Sequence, residues 1–256
     1  MTFIRRTTRL FLLSLWFPVA SILGIFAGFG GSWSGMKRVT KITRLWGWGI
    51  SRIIGMNIKV YGDPEKIKGG IIVANHHSYL DIIAHASIFP IRFAAKIEIS
   101  SWPVLGWILA INRPIWIDRK SKQRSHKTLS EYRETIEHGI NLIVYPEGTS
   151  SAGTRILPFK STPFEAVSSD NYKIYPVLIR YLQKTGEPTL CWYGDMTLLP
   201  HCWQILGRPS INVEIHILDP LLPEGRSRKE LANFVHAHMQ EKYSEILKTL
   251  AFTPVL

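Results

Sequence analysis

The sequence predicts an α/β fold: a mixed, mostly parallel sheet flanked by helices, with an N-terminal membrane-associated helical segment. Three observations predict it. Beyond residue 62, short β-branched runs alternate with longer stretches at helical spacing, the rhythm of strands joined by crossover helices. The first 62 residues carry nine Lys and Arg and no acidic residue, Asp63 being the first, and they hold the most apolar stretch of the chain. The 256 residues are 46% hydrophobic, enough for one sizeable core. Residues 1–60 therefore read as a membrane anchor with a basic amphipathic helix, and residues 61–256 as a single globular domain.

Leu10 to Met36 is a run of 27 residues without a charge, longer than the ~20 apolar residues that cross a bilayer as a helix. Its glycine-rich end, "GFGGSWSG", would fray as a helix. Arg5, Arg6 and Arg9 stand on one side and Lys37, Arg38, Lys41 and Arg44 on the other, so the distribution of positive charge gives no orientation. A single span and a helix that dips in and returns both fit. In "KRVTKITRLWGWGISRIIGMNIKVYG", Leu45, Trp46, Trp48, Ile50, Ile53 and Ile54 interleave with Lys41, Arg44 and Arg52, as in a basic amphipathic helix at an interface or one packed on the core.

"GGIIVANH" then reads as a buried strand, "SYLDIIAHASIF" as a helix and "IRFAAK" as a strand. "WPVLGWILAI" is too short to span and reads as a core or membrane-dipping helix. "PIWIDR" is a strand, "RSHKTLSEYRETIEHG" a helix closed by Gly139, and "INLIVYPEGTSS" a strand and loop. "KIYPVLIRY", "TLCWYG" and "SINVEIHIL" read as strands, and "SRKELANFVHAHMQEKYSEILKTL" as a C-terminal helix.

A net charge of +12 calls for an anionic partner. Because the bases lie beside apolar surface, that partner reads as membrane lipid and not nucleic acid. Cys191 and Cys202 form no CxxC and no disulfide framework.

One stretch carries chemistry: "VANHHSYLD", residues 73–81. A strand ends near Asn75-His76, and Ser78 suits a helix N-cap with Asp81 at the capping-box position. The same geometry lets the Asp81 carboxylate reach His76, fix its tautomer and stabilise its protonated form, so that His76 would take a proton from a hydroxyl. His77 points elsewhere if the alternation persists. An acyl group carried on Ser78 is a competing reading, though capping is the simpler account. A metal-dependent hydrolase built on His76, His77, Asp81 and His85 is a competing reading, but no second cluster of ligands completes a zinc set. A non-catalytic membrane-binding protein is a third.

"NHHSYLD" resembles the NHxSxxD block of the glycerolipid acyltransferases, the family that includes lysophosphatidate acyltransferases. "WIDR" (Trp116–Arg119), "YPEGTSS" (Tyr145–Ser151) and "IYPVLI" (Ile174–Ile179) are similar to the family's later blocks and stand in its order. The resemblance implies a membrane-bound O-acyltransferase of phospholipid biosynthesis. In it His76 is the general base and Asp81 its partner, while Arg119, Glu147, Gly148 and Thr149 bind the polar acceptor. It implies no cofactor and no metal. The acyl group would come from an acyl carrier protein or coenzyme A thioester. The place would be the bacterial inner membrane, with the active site on the cytoplasmic face. The implied acceptor is 1-acyl-glycerol-3-phosphate. Departures from the pattern keep lyso-ornithine lipid or another lysophospholipid open: Asn112, Arg113 and Pro114 occupy the approach to the second block, and Ser150 stands where the third block has arginine, with Arg155 and Lys160 further on.

Overall fold

The structure, a computed structural model, describes residues 1–102, 105–118, 122–168, 172–183 and 186–251. Its strands are β1 (Met56–Tyr61), β2 (Gly70–Ala74), β3 (Ile91–Lys96), β4 (Ile115–Ile117), β5 (Asn141–Val144), β6 (Ile174–Leu182) and β7 (Ile211–Ile217). Its helices are α1 (Thr2–Ala27), α2 (Trp33–Ile53), α3 (Leu80–Ile88), α4 (Leu105–Ile111), α5 (Lys122–Glu137), α6 (Glu165–Ser168), α7 (Leu198–Gly207) and α8 (Arg228–Ala251).

The strands form one sheet in the order β1-β7-β6-β2-β5-β3-β4. β6, β2, β5, β3 and β4 run parallel, and β7 pairs antiparallel with β6 and parallel with β1. The sheet is thus mixed and mostly parallel, as expected. Every residue of β2 is buried, and the strand alternation divides them between two layers. Ile72 and Ala74 join the core under α2 and α3, while Ile71 and Val73 join the core on the opposite face, with Tyr132 of α5 and Val235 and Tyr243 of α8.

Several expectations are corrected. "TLCWYG" is not a strand: β7 already occupies the free edge of β6, and the backbone of Trp192 bonds instead to His77 O at 2.8 Å. Residues 56–61, read with the basic helix, are β1; Gly55, at φ +75°, ends that helix and turns the chain into the sheet. The limit drawn between residues 60 and 61 therefore falls inside a strand. α7 was not foreseen.

The apolar N-terminal run ends as a helix at Ala27, and Ser32 caps α2 by accepting the Gly35 N–H at 3.2 Å. α1 is long and apolar enough to cross a membrane, by length and composition. It lies against the domain at both ends. Arg9 donates to the carbonyls of Leu206 and Arg208 at the end of α7, at 3.1 and 2.6 Å, and Arg113 donates to Gly28 O at 2.7 Å. Between them, Trp16 donates to Trp46 O at 3.2 Å. The rest of its surface, including Phe11, Leu15, Ile22 and Phe26, is exposed.

Candidate active site

Residues at and just beyond the carboxyl ends of β2, β5 and β6 meet around His76 and Asp81, the end of a parallel sheet where chemistry usually sits. β2 ends at Ala74, and the next residues turn across the top of the sheet. Asn75 fixes that turn: its amide donates to Ile179 O at 2.9 Å and accepts the Ile179 N–H at 2.8 Å. The side chain thus replaces a rung of the ladder with β6 and commits the chain to leave β2 there.

His76 follows, and its Nδ1 lies 2.7 Å from Oδ2 of Asp81. The same oxygen accepts the backbone N–H groups of His77 at 2.6 Å and Ser78 at 3.0 Å, and Oδ1 accepts the Tyr181 hydroxyl at 2.5 Å. Asp81 is fully buried. Burial alone would raise its pKa, but the hydrogen bond and charge of His76, then His77 and Tyr181, bring it below the usual carboxylate value. Burial holds the Tyr181 phenol neutral, able to donate. An ionised Asp81 only accepts, so the proton sits on Nδ1 of His76 and the lone pair on Nε2. The His76 side chain keeps 20% of its surface exposed, so the ring can be reached from outside.

The capping expectation for Ser78 is corrected. The helix starts one residue later, with Tyr79 as its N-cap, and Ser78 Oγ is buried without a partner. Asp81 satisfies the free N–H groups of this turn by itself.

His77 is buried and faces away from His76's partners. Its Nδ1 is 3.0 Å from Ser151 Oγ, and its Nε2 is 2.6 Å from Asn75 Nδ2 and 3.1 Å from Tyr243 Oη. Burial lowers its pKa, so the ring is neutral. The Asn75 amide donates to Nε2, and Nδ1–H donates to Ser151. Tyr243 donates to Gly153 O at 2.7 Å, bringing α8 into the same brace. The four candidate metal ligands do not converge. His85 Nδ1 is taken up by the Tyr145 hydroxyl at 3.0 Å, and burial moves the His85 pKa down to about 4. Tyr145 in turn stacks on His76 at 4.5 Å between ring centroids.

Of the residues expected to bind the acceptor, Arg119 lies outside the described residues. Gly148, at φ +71°, makes the turn after β5, its N–H donating to Tyr145 O at 3.0 Å, and Thr149 is exposed beside it. Glu147 sits differently from that expectation. It is buried, with Oε1 accepting the His76 N–H at 2.6 Å and Oε2 the Leu157 N–H at 2.8 Å. Its carboxylate thus ties the loop that carries His76 to the loop after the third block. Ser150 Oγ bonds to Trp192 O, latching that block to the segment before α7.

Burial pushes the Glu147 carboxyl up to about 7, against the opposing pull of the Leu157 and His76 N–H groups. Unfolded, it would titrate near its ordinary 4.5. A raised carboxyl favours the folded chain most when protonated, so this stability is lost as the pH rises from 4.5 through about 7. Glu147→Gln should remove that dependence, so that the stability difference between variant and parent changes by about 3 kcal/mol between pH 4 and 8. Thermal or urea unfolding across that range measures it, and a constant difference would refute the assignment.

The residues from 57 to 180 match the family model described as Acyltransferase. The lyso-ornithine lipid O-acyltransferase of Rhodobacter capsulatus is 31% identical over 189 residues, covering 70% of this chain and 67% of that one. The 1-acyl-sn-glycerol-3-phosphate acyltransferase of Neisseria gonorrhoeae is 33% identical over 153 residues, 59% of this chain and 60% of that enzyme's length. The crystal structure of the 1-acyl-sn-glycerophosphate acyltransferase PlsC of Thermotoga maritima superposes with a TM-score of 0.68 at 22% identity, covering 96% of this chain and 95% of that one. That likeness is one of fold.

Proposed function

This chain belongs to the acyltransferase family, and we propose that it moves a fatty acyl group from an acyl thioester to the free hydroxyl of a lysolipid. The observation that carries this reading is the His76 Nδ1–Asp81 Oδ2 contact at 2.7 Å on an imidazole that is itself partly exposed. His76 Nε2 takes the hydroxyl proton as the oxygen attacks the thioester carbonyl. The imidazolium that forms is stabilised by Asp81. The tetrahedral intermediate collapses, the C–S bond breaks, and the leaving thiolate takes the proton from Nε2, which restores the base. No group on the enzyme is acylated and no cofactor is required. The donor is an acyl carrier protein or coenzyme A thioester.

Glu147 acts here as a positioning residue, holding the backbone of His76. Gly148, Thr149 and Arg119 remain the proposed contacts to the acceptor head group. The first acceptor is 1-acyl-glycerol-3-phosphate. Lyso-ornithine lipid is the second, favoured by the Ser150 side chain, which is committed to Trp192 O and presents no cation to a phosphate. The enzyme works at a membrane, proposed to be the bacterial inner membrane with the site on the cytoplasmic face. Its α1 is bonded to the domain at both ends with its apolar flank turned outward, an arrangement that suits a helix lying in one leaflet better than one leaving the domain to cross the bilayer.

The test is to incubate the purified protein with acyl-acyl carrier protein or acyl-coenzyme A and a panel of lysolipids, and to identify the product by mass spectrometry. Acylation of 1-acyl-glycerol-3-phosphate is expected. Acylation of lyso-ornithine lipid alone would move the assignment to the second acceptor. Thioester cleavage with no lipid product, or no reaction at all, would overturn the reading.

A further inference from the structure

The His76 imidazole has a partner on its face as well as one at its edge. Tyr145, just beyond β5, stacks on it with ring centroids 4.5 Å apart and planes 29° from parallel. The Tyr145 hydroxyl lies 3.0 Å from Nδ1 of His85. His85 stands one helical turn after Asp81 on α3. One helix therefore supplies both Asp81, which holds the edge of the imidazole at 2.7 Å, and His85, which holds the ring packed on its face.

An aromatic face attracts a cation that lies within about 6 Å of its centre. Neutral His76 gains only packing from this stack. Protonated His76 gains the attraction of the ring quadrupole as well, and its side chain is largely out of water, where such an attraction is stronger. The two groups behind the imidazole bring no charge that would cancel this. Burial moves the His85 pKa down to about 4, so it is neutral near pH 7, and burial also holds the Tyr145 phenol un-ionised. We infer that Tyr145 is a positioning residue of the general base: its ring face stabilises the imidazolium that forms as His76 takes the hydroxyl proton, and His85 fixes the plane of that ring.

The other titratable groups around His76 act from different directions. Asp81 of α3 meets its edge, His77 follows it in the chain, and Glu147, beyond β5, accepts its backbone N–H. Tyr181 of β6 reaches it only through Asp81. Glu147 titrates at about 7 by itself, so the ring is isolated by comparing chains that all keep Glu147 and Asp81.

The inference rests on His76 acting as the base, and the test reads the imidazolium both without and with turnover. In the full chain in detergent micelles, labelled with ¹³C-histidine, the His76 Cε1 signal is titrated by NMR for the parent, Tyr145→Leu and Tyr145→Phe; its loss in His76→Ala assigns it. Tyr145→Leu should lower the His76 midpoint by about one pH unit, a roughly tenfold loss of preference for the imidazolium. Tyr145→Phe keeps the ring and should stay within about 0.3 of the parent. The pH profile of kcat/KM for lipid product should repeat the pattern: in the Leu variant the acid limb moves down and the plateau falls by up to about tenfold. A site that is merely loosened loses rate without moving the limb.

If Tyr145→Leu fails to fold, pentafluorophenylalanine at position 145 keeps the shape of Phe but removes the negative ring face, and its midpoint should fall below that of Tyr145→Phe. An unmoved midpoint in a folded Leu or pentafluorophenylalanine variant would overturn the inference and leave the acyl-transfer reading intact. So would a Phe variant displaced as far as Leu. A displaced midpoint in a chain that makes no lipid product would overturn the acyl-transfer reading and leave the ring's hold on the cation standing.

Discussion

His76→Ala is expected to lower acyl transfer by about 10²–10⁴-fold, the contribution of a positioned general base, and to cost about 1.5–3 kcal/mol of stability for the hydrogen bond its imidazole gives the buried Asp81 carboxylate. The imidazole is partly exposed and packs mainly on the ring of Tyr145. The backbone at this position stays anchored without it, since the His76 N–H is held by Glu147 and its carbonyl accepts the Ser151 N–H at 2.9 Å. The loss should appear in kcat, because the side chain acts on the proton of a hydroxyl already bound. Initial rates of lipid product, read beside a thermal unfolding curve for the same sample, separate chemistry from folding. A folded variant with near-parental turnover would remove His76 from the mechanism.

What could be read in advance follows from how far apart in sequence the interacting groups lie. His76 and Asp81 are five residues apart, at the junction of a β-branched run and a helix start, and a strand-to-turn geometry brings such residues together whatever the remainder of the chain does. Most strands were legible for a related reason: β2, β5 and β6 are buried on both faces and read as mostly apolar runs rich in Ile and Val. Where sheet membership depended on a distant edge, composition misled. "TLCWYG" has strand-like residues but no edge to join, whereas β1 follows a helix with little punctuation and is recruited by β7, 155 residues later.

The supports of the catalytic pair were hidden in the same way. Glu147 reaches His76 across 71 residues and Tyr181 reaches Asp81 across 100, and nothing local marks either contact. The resemblance placed Glu147 toward the acceptor; folding turns its carboxylate inward onto two backbone donors. Asn75 and His77 look like neighbours of the important histidine. Only the fold reveals that one replaces a rung of the β2–β6 ladder and the other braces the third block and α8 against it.

Asp81 carries the second large effect, and two substitutions divide its roles. Asp81→Asn preserves size and leaves an oxygen to face Nδ1 of His76 and the N–H groups of His77 and Ser78. The new amide then meets Tyr181, whose hydroxyl can turn and accept. The fold should persist, but the charge that stabilises an imidazolium at His76 is gone, and activity should fall by about 10²-fold or more. Asp81→Ala removes the acceptor altogether and strands two backbone N–H groups and a phenol in a buried turn. Each orphaned group costs about 1–3 kcal/mol, so this variant should lose several kcal/mol of stability along with its activity. The carboxyl's own linkage runs opposite to that of Glu147. With its pKa lowered from 3.8, its contribution to stability is present above that value and is lost only as the pH falls below it. Near neutral pH, then, Asp81 is ionised while Glu147 is titrating. Rates of lipid product for the Asn variant and its parent at the same pH test its role, and an Asn variant as active as its parent would show that His76 needs no anionic partner.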